Sequence, residues 1–253
     1  MNIVKTGVAV LAVSAMVSVS AQDAEAQAET PAEESEAVVS EGAPAQEGRS
    51  YGWTPIAFGL ATPVQLPWGI DRWDVFGLDF NIFYSDAPEL CGLQLSVCGN
   101  TARREFKGVG LTGLFNFSSC DTYGFRGALG ANISKGTLYG VDAGGFGMHD
   151  KVKGVELELV TCVQREITGA NFSIFGSITE NESYGATFGA VNFARTAYGA
   201  QIAFAYNQTE ELHGCQIGLV NYCRECPWGF QIGLVNIILD NYVKVLPFVN
   251  GYF

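Results

Sequence analysis

Few residues in this 253-residue chain are of types that could do chemistry. There are two histidines and seven cysteines. Two carboxylates, Glu156 and Glu158, lie two apart on the polar phase of an alternating segment. His149 and His213 both fall near expected turns, and neither sits in an HExxH-type metal spacing. They read as exposed turn histidines. Cys223 and Cys226 form a lone CxxC in a turn. Zinc would require a second pair, and redox motifs of this spacing normally precede a helix. A disulfide, within the turn or to a neighbour, and free thiols both stay open. Cys91 and Cys98 would be about 23 Å apart along one strand, too far to bridge. Cys215 falls on an apolar phase and reads as packing. Paired carboxylates can serve as acid and base. Glu156 and Glu158 equally fit a wet or salt-bridged interior facing Arg126. No G-x-S-x-G elbow or P-loop occurs. Gly144, Gly145 and Gly147 belong to a glycine-rich strand, because no helix follows. The expectation is no catalytic residue, no metal site and no cofactor, hence no enzyme.

Composition narrows the class. Charged residues make up 16% of the chain, below the roughly 25% usual in soluble domains. Glycine is abundant, at 31 residues, and the formal net charge is −12. An acidic chain is a poor nucleic-acid partner, since phosphate contacts need a basic surface. Lys5 followed by the apolar run from Gly7 to Val19 reads as a secretory signal peptide over residues 1–21, cleaved after Ala21. The first cysteine is Cys91, so a lipoprotein anchor is not expected. Residues 22–50 carry eight acids against Arg49 and have no aromatic residue. Such a segment buries too little apolar surface to offset its ordering entropy and reads as a disordered acidic tail.

The remaining residues, 51–253, are repetitive. GCQIGLVN at Gly214 and GFQIGLVN at Gly229 lie 15 residues apart. Degenerate copies begin at Gly77, Gly92, Gly108, Gly124, Gly140, Gly154, Gly169, Gly185 and Gly199, at spacings of 14 to 16. Within each unit large apolar residues alternate with small or polar ones, the period-two pattern of a strand between two surroundings. Charged residues gather between units, as at Arg103 to Glu105 and Gln164 to Glu166, and read as turns.

Two all-β architectures fit. If each strand runs straight for about 11 residues it spans roughly 36 Å, and the four or so left over cannot carry the chain back to a parallel start. They can make a hairpin. The eleven repeats plus a C-terminal strand at 242–253 then give about twelve antiparallel strands in a meander, closed as an outer-membrane-type β-barrel. Leu234 and its equivalents would face lipid. Gln94, Arg126, Asp142, Glu156, Glu158, Gln201, Gln216 and Gln231 would line the lumen. If the strand bends at its central glycine, the alternative is a β-solenoid of 15-residue coils. There the apolar residues would form a dry core and the glutamine face would meet solvent. Residues 51–74 could add a further strand or a plug.

The units GCQIGLVN and GFQIGLVN, the closing LPFVNGYF, and the lead-in from Pro63 to Pro67 with Val75 to Asn81 resemble a bacterial surface-repeat family known from spirochaetes and other Gram-negative groups. The resemblance covers roughly residues 60–253. It implies export and repeat architecture, and no reaction or ligand. The expected location is the outer membrane or cell surface of a Gram-negative bacterium, with outer-membrane lipid as partner. The periplasm or secretion is the alternative. A structural or narrow-pore role goes with the barrel, and an adhesive or scaffold surface with the solenoid.

Overall fold

The structure is a computed structural model and describes residues 52–68 and 73–251. The expected signal peptide, the acidic segment and the terminal Tyr252 and Phe253 lie outside the described residues. Among them the chain is all-β, as eight strands: β1 (Gly52–Ala61), β2 (Val64–Leu66), β3 (Trp73–Ser96), β4 (Gly99–Thr112), β5 (Phe115–Ser118), β6 (Thr122–Ile217), β7 (Val220–Ile238) and β8 (Val245–Gly251).

The architecture is a β-solenoid, not a closed antiparallel barrel. Successive coils pair in parallel, each residue opposite its counterpart one repeat on: Gly92 with Gly108, Leu93 with Val109, Gly214 with Gly229, Cys215 with Phe230. The single strand β6 is several such coils in unbroken succession. Only the ends are antiparallel, where β2 pairs with β1 and β8 with β7. These end strands cover edges that would otherwise invite pairing with another chain. Residues 51–74 thus contribute β1, which pairs in parallel with β3 as an additional coil, and the short strand β2.

The straight-strand assumption fails at corners. Ten repeat glycines, among them Gly92, Gly108 and Gly124, have φ between +117° and +157°. They stack in a column, so that a Cβ on Gly108 would collide with the carbonyl oxygen of Gly92. A second corner shows as two consecutive outward apolar residues, such as Ile174 with Phe175 and Leu234 with Val235, all exposed. In a straight strand one of each pair would point inward.

The orientation of the coil is the reverse of the dry core expected for a solenoid. The polar phase points inward and the large apolar phase outward. Gln94, Arg126, Asp142, Glu156, Glu158, Gln201, Gln216 and Gln231 are all buried, and there is no barrel lumen for them to line. The interior is narrow, and amides repeated coil upon coil satisfy one another. Asn192 Nδ2 donates to Asn207 Oδ1 at 3.0 Å, Asn207 to Asn221 at 2.8 Å and Asn221 to Asn236 at 2.8 Å. Asn100, Asn116 and Asn132 form an equivalent ladder at 3.1 and 2.9 Å. Gln231 donates to Gln216 at 2.7 Å, and Gln216 to Gln201 at 2.9 Å. Such stacks are the ladders that stabilise in-register β assemblies. Apolar packing is confined to a second interior compartment, for example Leu138, Val152, Val163 and Ile167.

The charged tips are not turns but an outer edge of extended chain. Opposite charges meet from coil to coil: Asp86 with Arg103, Asp150 with Arg165, Lys151 with Glu166, and Arg195 with Glu210. Exposed pairs of this kind add little stability, but they disfavour slipped registers.

Candidate functional site

Two features stand out from this frame, one on the surface and one in the core. On the surface, outward positions on two sides of most coils carry large apolar residues, with none exposed between Leu129 and Leu157 or between Phe175 and Phe204. Leu129 is 85% exposed and Phe204 82%. Ile174, Phe175, Leu219, Phe230 and Leu234 are exposed with them. Eleven coils at about 4.8 Å each make a stack roughly 50 Å long. A stripe a few residues wide then covers on the order of 1,000 Å², whereas the largest apolar patch of a typical monomer is about 300–600 Å².

The border of this surface is regular. The residue before each corner glycine is often aromatic, and these rings stack from coil to coil. Tyr123 lies 4.8 Å from Tyr139, and Tyr184 lies 4.6 Å from Tyr198, which stacks in turn on His213. His213 pairs in register with the exposed Trp228. Lys107 and Lys153 place their amines over Tyr123 and Tyr139. The column separates the charged edge from the apolar sides. His213 is held there by Glu211, with Nε2 2.8 Å from Oε1. It is half-buried in a ring stack rather than free in a turn.

The core feature was not legible as a site. His149, expected in an exposed turn, is 1% exposed. It follows the Gly147 position by two, and that phase points inward. Its Nε2 lies 3.3 Å from Glu156 Oε1, 3.5 Å from Asp142 Oδ2 and 4.0 Å from Glu158 Oε1. Arg126 grips Asp142 with both arms of its guanidinium: Nε donates to Oδ1 at 3.0 Å and Nη2 to Oδ2. Its Nη1 reaches the Ile133 carbonyl at 3.3 Å. Asn171 donates to Glu156 Oε2 at 2.9 Å, and Asn132 to Glu158 Oε1 at 3.5 Å. Burial pushes the Glu156 carboxyl well above the usual carboxylate range, with Glu158 and Asp142 adding to the rise. Burial raises Glu158 too, partly offset by His149. Alternation in the sequence puts Arg126, Glu156 and Glu158 on one face, and the structure adds Asp142 and His149 to the same cluster.

Gln94 belongs to a separate buried network. It donates to Asp79 at 3.1 Å and to Ser85 at 3.0 Å, while Asn81 donates to Asp79 at 2.8 Å. Burial raises the Asp79 carboxyl despite these bonds. Nothing in this arrangement presents an open reacting position.

Cys223 and Cys226 are free, buried thiols, not a disulfide. The chain bends between them, so both point inward and pack with Ala194, Leu212 and Ile238. Their mutual hydrogen bond and burial push the Cys223 thiol up from the ordinary thiol range. Cys91 is exposed. A thiol reagent is therefore expected to modify Cys91 in the folded protein and to reach Cys223 and Cys226 only after denaturation, as peptide mass mapping would show. Fast labelling of the pair in the native state would contradict their placement.

No family model, no curated protein and no solved structure matches this chain.

Proposed function

We propose that this chain is a non-enzymatic, exported scaffold or adhesive repeat protein that lies against a lipid surface through its apolar sides. The observation carrying this reading is the order of residue types around the coil. Charged residues form one edge, stacked tyrosines the border, and leucine, isoleucine and phenylalanine the two remaining sides. Tyrosine and tryptophan prefer the level where lipid headgroups meet acyl chains, and lysine stems reach back toward water from there. An amphipathic element of this kind beds its apolar face into the headgroup boundary and leaves its charged face wet. The signal-like N-terminus and the resemblance to surface-repeat proteins support the outer membrane of a Gram-negative cell as that lipid surface. The buried amide ladders then serve rigidity, not binding.

Flotation with neutral phosphatidylcholine vesicles tests this. The folded chain should float with the vesicles, and Ile174→Asp combined with Phe204→Asp should lower the bound fraction about tenfold or more. Glu210→Gln, on the charged edge, should leave it unchanged. A wild-type chain that stays in the soluble fraction would overturn the reading. Stable dimers formed without lipid would mean that the same sides bind a second copy instead.

A further inference from the structure

We propose that Asp142, His149 and Glu158, with Glu156 beside them, form a structural site for one divalent transition-metal ion in the solenoid core. Ligand atoms of Asp142, His149 and Glu158 all lie within 4.8 Å of one another. Side chains this close converge on a metal at about 2.0–2.2 Å with modest rotations. All four residues are buried.

Two independent features point to a ligand there. The first is unmet bonding capacity. Both ring nitrogens of His149, Glu156 Oε1 and Glu158 Oε2 find no hydrogen-bond partner among the described residues. Buried polar atoms are otherwise satisfied in folded proteins, so each orphan demands a partner. Charge agrees with this. Three carboxyl groups face one permanent cation, Arg126, so all three can stay ionised in this buried site only if a further cation joins them. A divalent ion would supply that charge, whereas an uncompensated buried charge is costly.

The second is the interruption of the ladder. The asparagine stack runs from Asn100 to Asn132 and resumes at Asn192. In the repeats between, Gly147, Thr161 and Ser177 stand in its phase. A Cβ at Gly147 would overlap the Glu158 carboxylate, so glycine there makes room for the acid. Where amides no longer tie coil to coil, the metal would do so. One imidazole with several carboxylates suits zinc, manganese or iron(II) better than calcium or magnesium, which prefer all-oxygen sets.

The test is to unfold the full chain in chelator, refold it with Zn²⁺, Mn²⁺ or Co²⁺, and remove loosely held ions by gel filtration. Elemental analysis should find one ion per chain, and the cobalt form should show visible d–d bands. The loaded protein should melt several degrees higher than protein refolded in chelator. Glu158→Gln and His149→Gln should lose the ion, while His213→Gln keeps it. Should either core variant fail to fold, the cobalt spectrum of the wild type still decides. A wild type that retains no ion and melts equally with and without metal would overturn the proposal. Equal retention by folded Glu158→Gln would do the same.

Discussion

Gly108→Ala is expected to destabilise the fold by about 4 kcal/mol or more, enough to keep much of the protein from folding. Two costs combine. The residue has φ of +140°, a region that costs a side chain about 1–3 kcal/mol. Its Cβ would also enter the Gly92 carbonyl oxygen, which is backbone and cannot rotate away. Gly92 is fixed in turn by its parallel pairing with Gly108, so relief would require parting two coils. Gly176→Ala is the control. A Cβ there meets nothing closer than Val191 O at 3.1 Å, and the residue has no positive φ. Urea denaturation followed by far-UV circular dichroism should show a near-normal midpoint for Gly176→Ala and little folded protein for Gly108→Ala. Similar midpoints for the two would mean that the glycine column is not a corner.

Arg126→Met should cost about 3–5 kcal/mol, the usual penalty for stripping one partner from a buried ion pair. The guanidinium is 1% exposed and is the only permanent cation facing Asp142, Glu156 and Glu158 among the described residues. Methionine replaces much of its volume, so lost packing contributes little. The loss should therefore be electrostatic and reversible by removing charge. Arg126→Met combined with Asp142→Leu should recover much of the stability. If the double variant is worse than the single one by the full cost of each change, the two residues act independently and the buried pair is misplaced.

The repeat itself was plain in the sequence, because glycine recurs wherever the backbone needs φ > 0 and no Cβ. Strand direction was obscured by one assumption. Eleven residues of alternating pattern suggest a straight strand, yet the doublets Ile174 with Phe175 and Leu234 with Val235 break the alternation where the chain turns. The inside-out orientation had a visible mark as well. Asn192, Asn207, Asn221 and Asn236 recur in one phase, and a face that merely meets water has no reason to keep the same amide. A ladder does, because each side chain must match the one above it. His149 was hidden for a different reason. It adjoins the charged residues Asp150 and Lys151, and its inward phase becomes apparent only once the coil is known to bend. That Glu158 occupies the space freed by Gly147 is a contact between coils, and spacing along one coil does not reveal it.

The central claim is that polar residues fill this solenoid and apolar ones clothe it. The most direct test is the urea midpoint of Gln216→Arg beside that of Phe204→Arg, both in mild detergent. Gln216 is fully buried in its amide stack and Phe204 is 82% exposed. The account predicts that Phe204→Arg stays within about 0.5 kcal/mol of the wild type. Gln216→Arg, which forces an unpaired charge into the core, should lose several kcal/mol. The opposite order, with Phe204→Arg unfolding the protein and Gln216→Arg tolerated, would contradict it.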